Sequence, residues 1–123
     1  MNLHPYLFFT GNCAEAMEFY KIIFGGELKL VPNQDGKGIM HADLSGGDLE
    51  LLASDGTRTT PYETSSISLA LTGSDNEKIT GAFHKLSEGG TVTAALKTES
   101  WGDTYGSLTD KFGIDWMVNI SQA

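Results

Sequence analysis

Two glycine pairs, Gly25-Gly26 and Gly89-Gly90, end two helix-like segments that lie 64 positions apart. At the same offset Phe19 falls on Phe83, Leu28 on Val92, His41 on Tyr105 and Leu44 on Leu108. Identity between the halves is low, but element order and apolar phase repeat. A unit of this length present twice predicts a pseudo-symmetric pair of modules rather than a solenoid.

Each half reads as strand, helix, then three strands. In the first, "HPYLFFT" (4–10) is a short apolar strand. "GNCAEAMEFYKIIFGG" then places Ala16, Met17, Tyr20, Ile23 and Phe24 on one helical face, with Asn12 and Glu15 at capping-box spacing. Period-two alternation follows in "ELKLV", "GIMHADLS" and "DLELLAS", the last after a Gly46-Gly47 turn. Thr, Arg, Pro and Ser between Asp55 and Ser65 break the pattern as a linking loop. The second half restarts with "ISLALTG". Its helix has Ser74 and Glu77 at capping-box spacing and an apolar face of Ile79, Ala82, Phe83 and Leu86. "TVTAAL", "YGSLTDKF" and "IDWMVNI" are its closing strands. One helix can cover only one face of each sheet. The expected fold is therefore α+β: two βαβββ modules, 1–58 and 63–123, in one domain, forming a curved mixed sheet around a cleft.

Composition narrows the function. Eight basic against sixteen acidic residues give a net charge of −8, and Arg58 is the one arginine. Phosphate neutralisation needs clustered Lys and Arg, so nucleic-acid partners are disfavoured. No apolar run approaches a membrane span, and "MNLHPYLFF" lacks the basic region and cleavage site of a signal peptide. The single cysteine, Cys13, has no intramolecular disulfide or zinc partner, which fits a reducing cytoplasm. No Gly-rich phosphate loop or dinucleotide fingerprint is present, so nucleotide cofactors are unsupported.

His41 is the acid/base candidate. It shares a strand face with Asp43, two residues on, so a carboxylate is placed to orient the imidazole. Met40, Ala42 and Leu44 take the opposite, helix-covered face. Tyr6, Phe8, Trp101 and Tyr105 supply the aromatic contact area usual in small-molecule pockets, with Trp101 in the turn before Tyr105. Trp116 fits either core or pocket. Arg58, on the linking loop, is a solvated residue or an anion contact.

The stretches "PYLFFTGNCAEAMEFYKIIFGGE", "IMHADL" and "WGDTYGSLTDKFGIDWMVN" resemble the PhnB-like branch of the vicinal oxygen chelate superfamily, which includes glyoxalase I and the bleomycin- and fosfomycin-resistance proteins. The resemblance covers nearly the whole chain. It implies paired βαβββ modules, a homodimer, and in metal-using members ligands on the first, fourth, fifth and eighth strands. Matched strand by strand, those positions fall on His4, Glu50, Ser66 and Met117. A hydroxyl and a thioether are poor ligands for hard divalent ions, so no tightly held metal and no other cofactor is expected; His4 and Glu50 are residual candidates for weak binding. The expected function is non-covalent binding of a small molecule in an aromatic-lined cleft. The alternative is a glyoxalase-like lyase or isomerase, metal-assisted or using His41.

Overall fold

The carboxylate of Asp55 organises the first module. In the computed structural model, which describes residues 1–56 and 67–122, the chain divides into two compact units, residues 1–59 and 60–123. The first comprises β1 (Tyr6–Phe9), α1 (Cys13–Phe24), β2 (Glu27–Pro32), β3 (Ile39–Gly46) and β4 (Leu49–Asp55). Its sheet runs β1-β4-β3-β2, with β1 parallel to β4 and the other pairs antiparallel. Asp55, at the end of β4, accepts from the Cys13 backbone N–H at the start of α1 and from the Ile39 N–H at the start of β3, both at 2.9 Å.

That arrangement corrects one expectation. Asn12 makes no side-chain capping bond. A free N–H at the helix start needs an acceptor, and a carboxylate 42 residues downstream supplies it. The second helix also departs from its expected cap. Asp75, rather than Ser74, precedes α2 (Asn76–Ser87), and its side chain accepts from the Lys78 N–H.

The second unit repeats the first. β5 (Leu69–Gly73), α2, β6 (Thr91–Thr98), β7 (Thr104–Thr109) and β8 (Asp115–Ile120) form a sheet ordered β5-β8-β7-β6, with β5 parallel to β8. The glycine pairs have a shared steric cause. A Cβ on Gly26 would sit 2.6 Å from the Ser45 carbonyl oxygen, and one on Gly90 would collide with the carbonyl of Thr109. Ser45 and Thr109 are themselves 64 positions apart. The repeat thus preserves a backbone approach that only glycine permits.

Each helix packs on one face of its own sheet. In the first unit Leu7, Phe9, Ala16, Met17, Tyr20, Ala42, Leu44, Leu51 and Ala53 are buried between them. In the second, Phe83, Leu86, Leu108, Ile114, Trp116, Val118 and Ile120 are buried. Trp116 is therefore a core residue, 2% exposed. Its indole N–H donates to Asp110, which also accepts from the backbone of Phe112 and Ile114 in the β7–β8 turn. The expected strand "YGSLTDKF" accordingly stops at Thr109, where Asp110 folds the turn. Arg58 and Ser66 lie outside the described residues.

Candidate functional site

Alternation along the strands sends one set of side chains to the core and the other to the open face of each sheet. In the first unit the strand registers arrange the open-face set as a grid across β3, β4 and β1. Asp43 lies opposite Leu52, which lies beside Tyr6. Ser45 lies opposite Glu50, and extending the β1–β4 ladder sets His4 beside Glu50. At the other end Phe8 flanks Ser54, and extending the β3–β4 ladder brings His41 opposite Ser54. On β2, Glu27, Lys29 and Val31 continue the three rows beside Ser45, Asp43 and His41.

The grid holds two connected groups. Tyr6 and Phe8 have ring centroids 4.9 Å apart and are 39% and 45% exposed. Tyr6 leans across β4 so that its hydroxyl meets His41 Nδ1 at 3.5 Å, with ring centroids 6.0 Å apart. The second group is polar. Ser45 donates to Asp43 Oδ1 at 2.6 Å and lies 3.4 Å from Glu50 Oε2. Glu50 Oε1 pairs with His4 Nε2 at 3.0 Å. A depression of about 550 Å³ opens at this end, lined by Leu3, His4, Glu50 and the β3–β4 turn from Ser45 to Leu49.

These contacts refine the expected roles. His41 and Asp43 share the open face, but no hydrogen bond joins them. The imidazole is turned toward Tyr6 and the carboxylate toward Ser45. Sequence reading misses Ser45 and Leu52, although the same alternation that selects His41 and Asp43 selects them. In the second unit Tyr105 occupies the place equivalent to His41 on the open face, opposite Asn119. Trp101, in the turn before β7, is 65% exposed.

The ladder registers also fix the internal equivalents of the metal candidates. Ser45 opposite Glu50 corresponds to Thr109 opposite Asp115. Thr109 donates to Asp115 at 2.6 Å, repeating the hydroxyl–carboxylate pairing. The repeat equivalent of Glu50 is therefore Asp115, and Met117 corresponds to Leu52. Among the described residues no three His, Cys, Asp or Glu side chains come together as a metal would require. His4 and Glu50 supply two of the three or four donors that hold a divalent ion tightly.

The Cys13 thiol is shielded from solvent. It is fully buried at the start of α1, and burial, with a smaller contribution from the Asp55 charge, pushes its pKa up to about 12.

Comparison with known proteins gives three kinds of match. The profile of the Glyoxalase/Bleomycin resistance protein/Dioxygenase superfamily matches residues 2–118. The protein YjdN of Escherichia coli (strain K12) is 29% identical over 140 aligned positions, covering 98% of this chain and 95% of that protein. Among solved structures, PA1353 from Pseudomonas aeruginosa is similar over 100% of this chain and 99% of its own, at 36% identity and a TM-score of 0.85. A PhnB protein from Bacillus cereus, described as a putative 3-demethylubiquinone-9 3-methyltransferase, covers 98% of this chain and 100% of its own at a TM-score of 0.83. At 24% identity it shows the shared fold. No helix among the described residues is long and apolar enough to cross a membrane.

Proposed function

The chain belongs to the glyoxalase/bleomycin resistance protein/dioxygenase superfamily, and from that membership we propose that it binds a small molecule on the open face of its first sheet, at Tyr6, Phe8, His41 and Asp43. The observation that carries this reading is the exposed Tyr6–Phe8 pair. Two neighbouring aromatic rings stand on this face, with a histidine beside them and a carboxylate across Leu52. Aromatic area with a few fixed polar groups is how small-molecule sites are commonly built. In the second unit Tyr105 and Trp101 are that unit's own candidate ligand contacts.

In this reading the ligand is held without a tightly bound metal or other cofactor, and the protein acts as a cytoplasmic homodimer. The His4–Glu50 pair, which offers two donors, and the full burial of Cys13 support this reading. A thermal-shift screen of small aromatic and polar metabolites tests it, because a ligand selective for the native state raises apparent stability. The expected result is a dose-dependent shift that Phe8→Ala abolishes. A screen without any shift would sink the reading.

One observation favours a second reading, a glyoxalase-like reaction. His4 and Glu50 lie together at the mouth of the depression, and His41 has an exposed partner hydroxyl nearby. Metal analysis of protein purified without chelator separates the two. Stoichiometric metal that disappears in His4→Ala would establish the second reading over the first.

A further inference from the structure

Granted a ligand on the open face of the first sheet, we infer that its class is an arylalkylamine: a flat ring on a short alkyl arm ending in an ammonium group. The face is sorted by chemistry along its length and across its width. Phe8 and the leaning Tyr6 ring form one side. The carboxylates of Asp43 and Glu50, bridged by Ser45, form the other. Leu52 lies between Asp43 and Tyr6 in the register and gives the alkyl arm an apolar floor.

The dimensions select a short arm. Neighbouring strands lie about 4.8 Å apart, so Asp43 and Tyr6, two strands apart, are separated by about 10 Å at the backbone. Tyr6 reaches over β4 to His41, which stands two residues from Asp43 on the same face of β3, so its ring lies nearer to β3 than its backbone does. A ring stacked there and an ammonium at Asp43 need only a short linker.

The carboxylate is prepared for a donor. Asp43 Oδ1 is held by the Ser45 hydroxyl, and among the described residues Oδ2 accepts no hydrogen bond. Hydrogen bonds to an ionised acceptor are the strong ones, and a cation adds attraction to the aromatic faces. The face carries three carboxylates, Glu27, Asp43 and Glu50, the last paired with His4, against one lysine, Lys29. Lys29 lies opposite Asp43 in the register but forms no ion pair with it. It therefore opposes the ammonium through space, which makes its removal informative.

Calorimetric titration with phenethylamine, phenethyl alcohol, 3-phenylpropionate and hexylamine tests the assignment, using the full chain. Phenethylamine binds at least about ten-fold more tightly than the other three. Asp43→Asn lowers its affinity about ten-fold and that of the alcohol by clearly less, and Lys29→Gln raises the affinity for the amine a few-fold. Circular dichroism of both variants verifies that the fold is retained. Equal affinities for amine and alcohol, or a preference for the carboxylate, would overturn the amine assignment while the aromatic site stands, provided Phe8→Ala still removes binding. Indifference of phenethylamine binding to Asp43→Asn would overturn it as well. Failure of all four probes, together with a negative metabolite screen, would overturn the site itself.

Discussion

Asp55 holds the backbone N–H of Cys13 at 2.9 Å, closing a contact between the end of β4 and the first residue of α1. The other oxygen of the same carboxylate holds Ile39. One side chain thus fixes the start of the helix that covers the sheet and the start of the strand that carries His41 and Asp43. Asp55→Ala leaves both donors without their acceptor, at a cost of about 2–3 kcal/mol. Urea denaturation is expected to show that loss, with Asp55→Asn losing less because one acceptor oxygen remains.

Cys13 makes stability depend on alkaline pH. Its pKa is raised from 9.0 to about 12 in the folded chain. Between those values the unfolded chain releases the thiol proton and the folded chain retains it, so the unfolded state binds fewer protons and stability falls as pH rises. The stabilisation is complete below pH 9 and declines toward pH 12. Denaturation midpoints across that window should fall less steeply in Cys13→Ala than in the parent chain. A thiol reagent at neutral pH should label Cys13 only under unfolding conditions.

Asp110 is the equivalent anchor for the last hairpin. It is 3% exposed and serves two backbone donors and the Trp116 indole. Asp110→Ala would strand buried donors and is expected to cost about 3 kcal/mol or more. Near-UV circular dichroism should report the loosened Trp116 environment before the far-UV signal changes.

The glycines separate into two kinds. Gly81, inside α2, has open space within 4 Å of the point where a Cβ would stand, so Gly81→Ala should stabilise by about 0.5–1 kcal/mol. Gly26 meets the Ser45 carbonyl and has a φ of 93°, so Gly26→Ala should destabilise. Thermal melts of the two variants are expected to move in opposite directions.

These anchors show where sequence reading reaches and where it stops. The helices and strands among the described residues follow from helical periodicity, strand alternation and short apolar runs, and Gly26 and Gly90 announce the repeat because the steric demand is local. His41 and Asp43 share a face because alternation requires it. Their partners are not legible, since Tyr6 reaches His41 from a strand 35 residues away and Ser45 competes for Asp43. The expected caps fail for two different reasons. Asp75 displaces Ser74 by a single position, whereas Asp55 arrives from the far end of the module. The equivalence of Glu50 with Asp115 needs the ladder register, because the β7–β8 turn is one residue longer than the β3–β4 turn.

The most direct test of the central claim is amide and side-chain NMR of the isotopically labelled chain during titration with a ligand found by thermal shift. The account predicts that the largest shift changes cluster at Tyr6, Phe8, His41 and Asp43, with the α1-covered face of the sheet unmoved. Changes confined to residues away from the open face of the first sheet would contradict it.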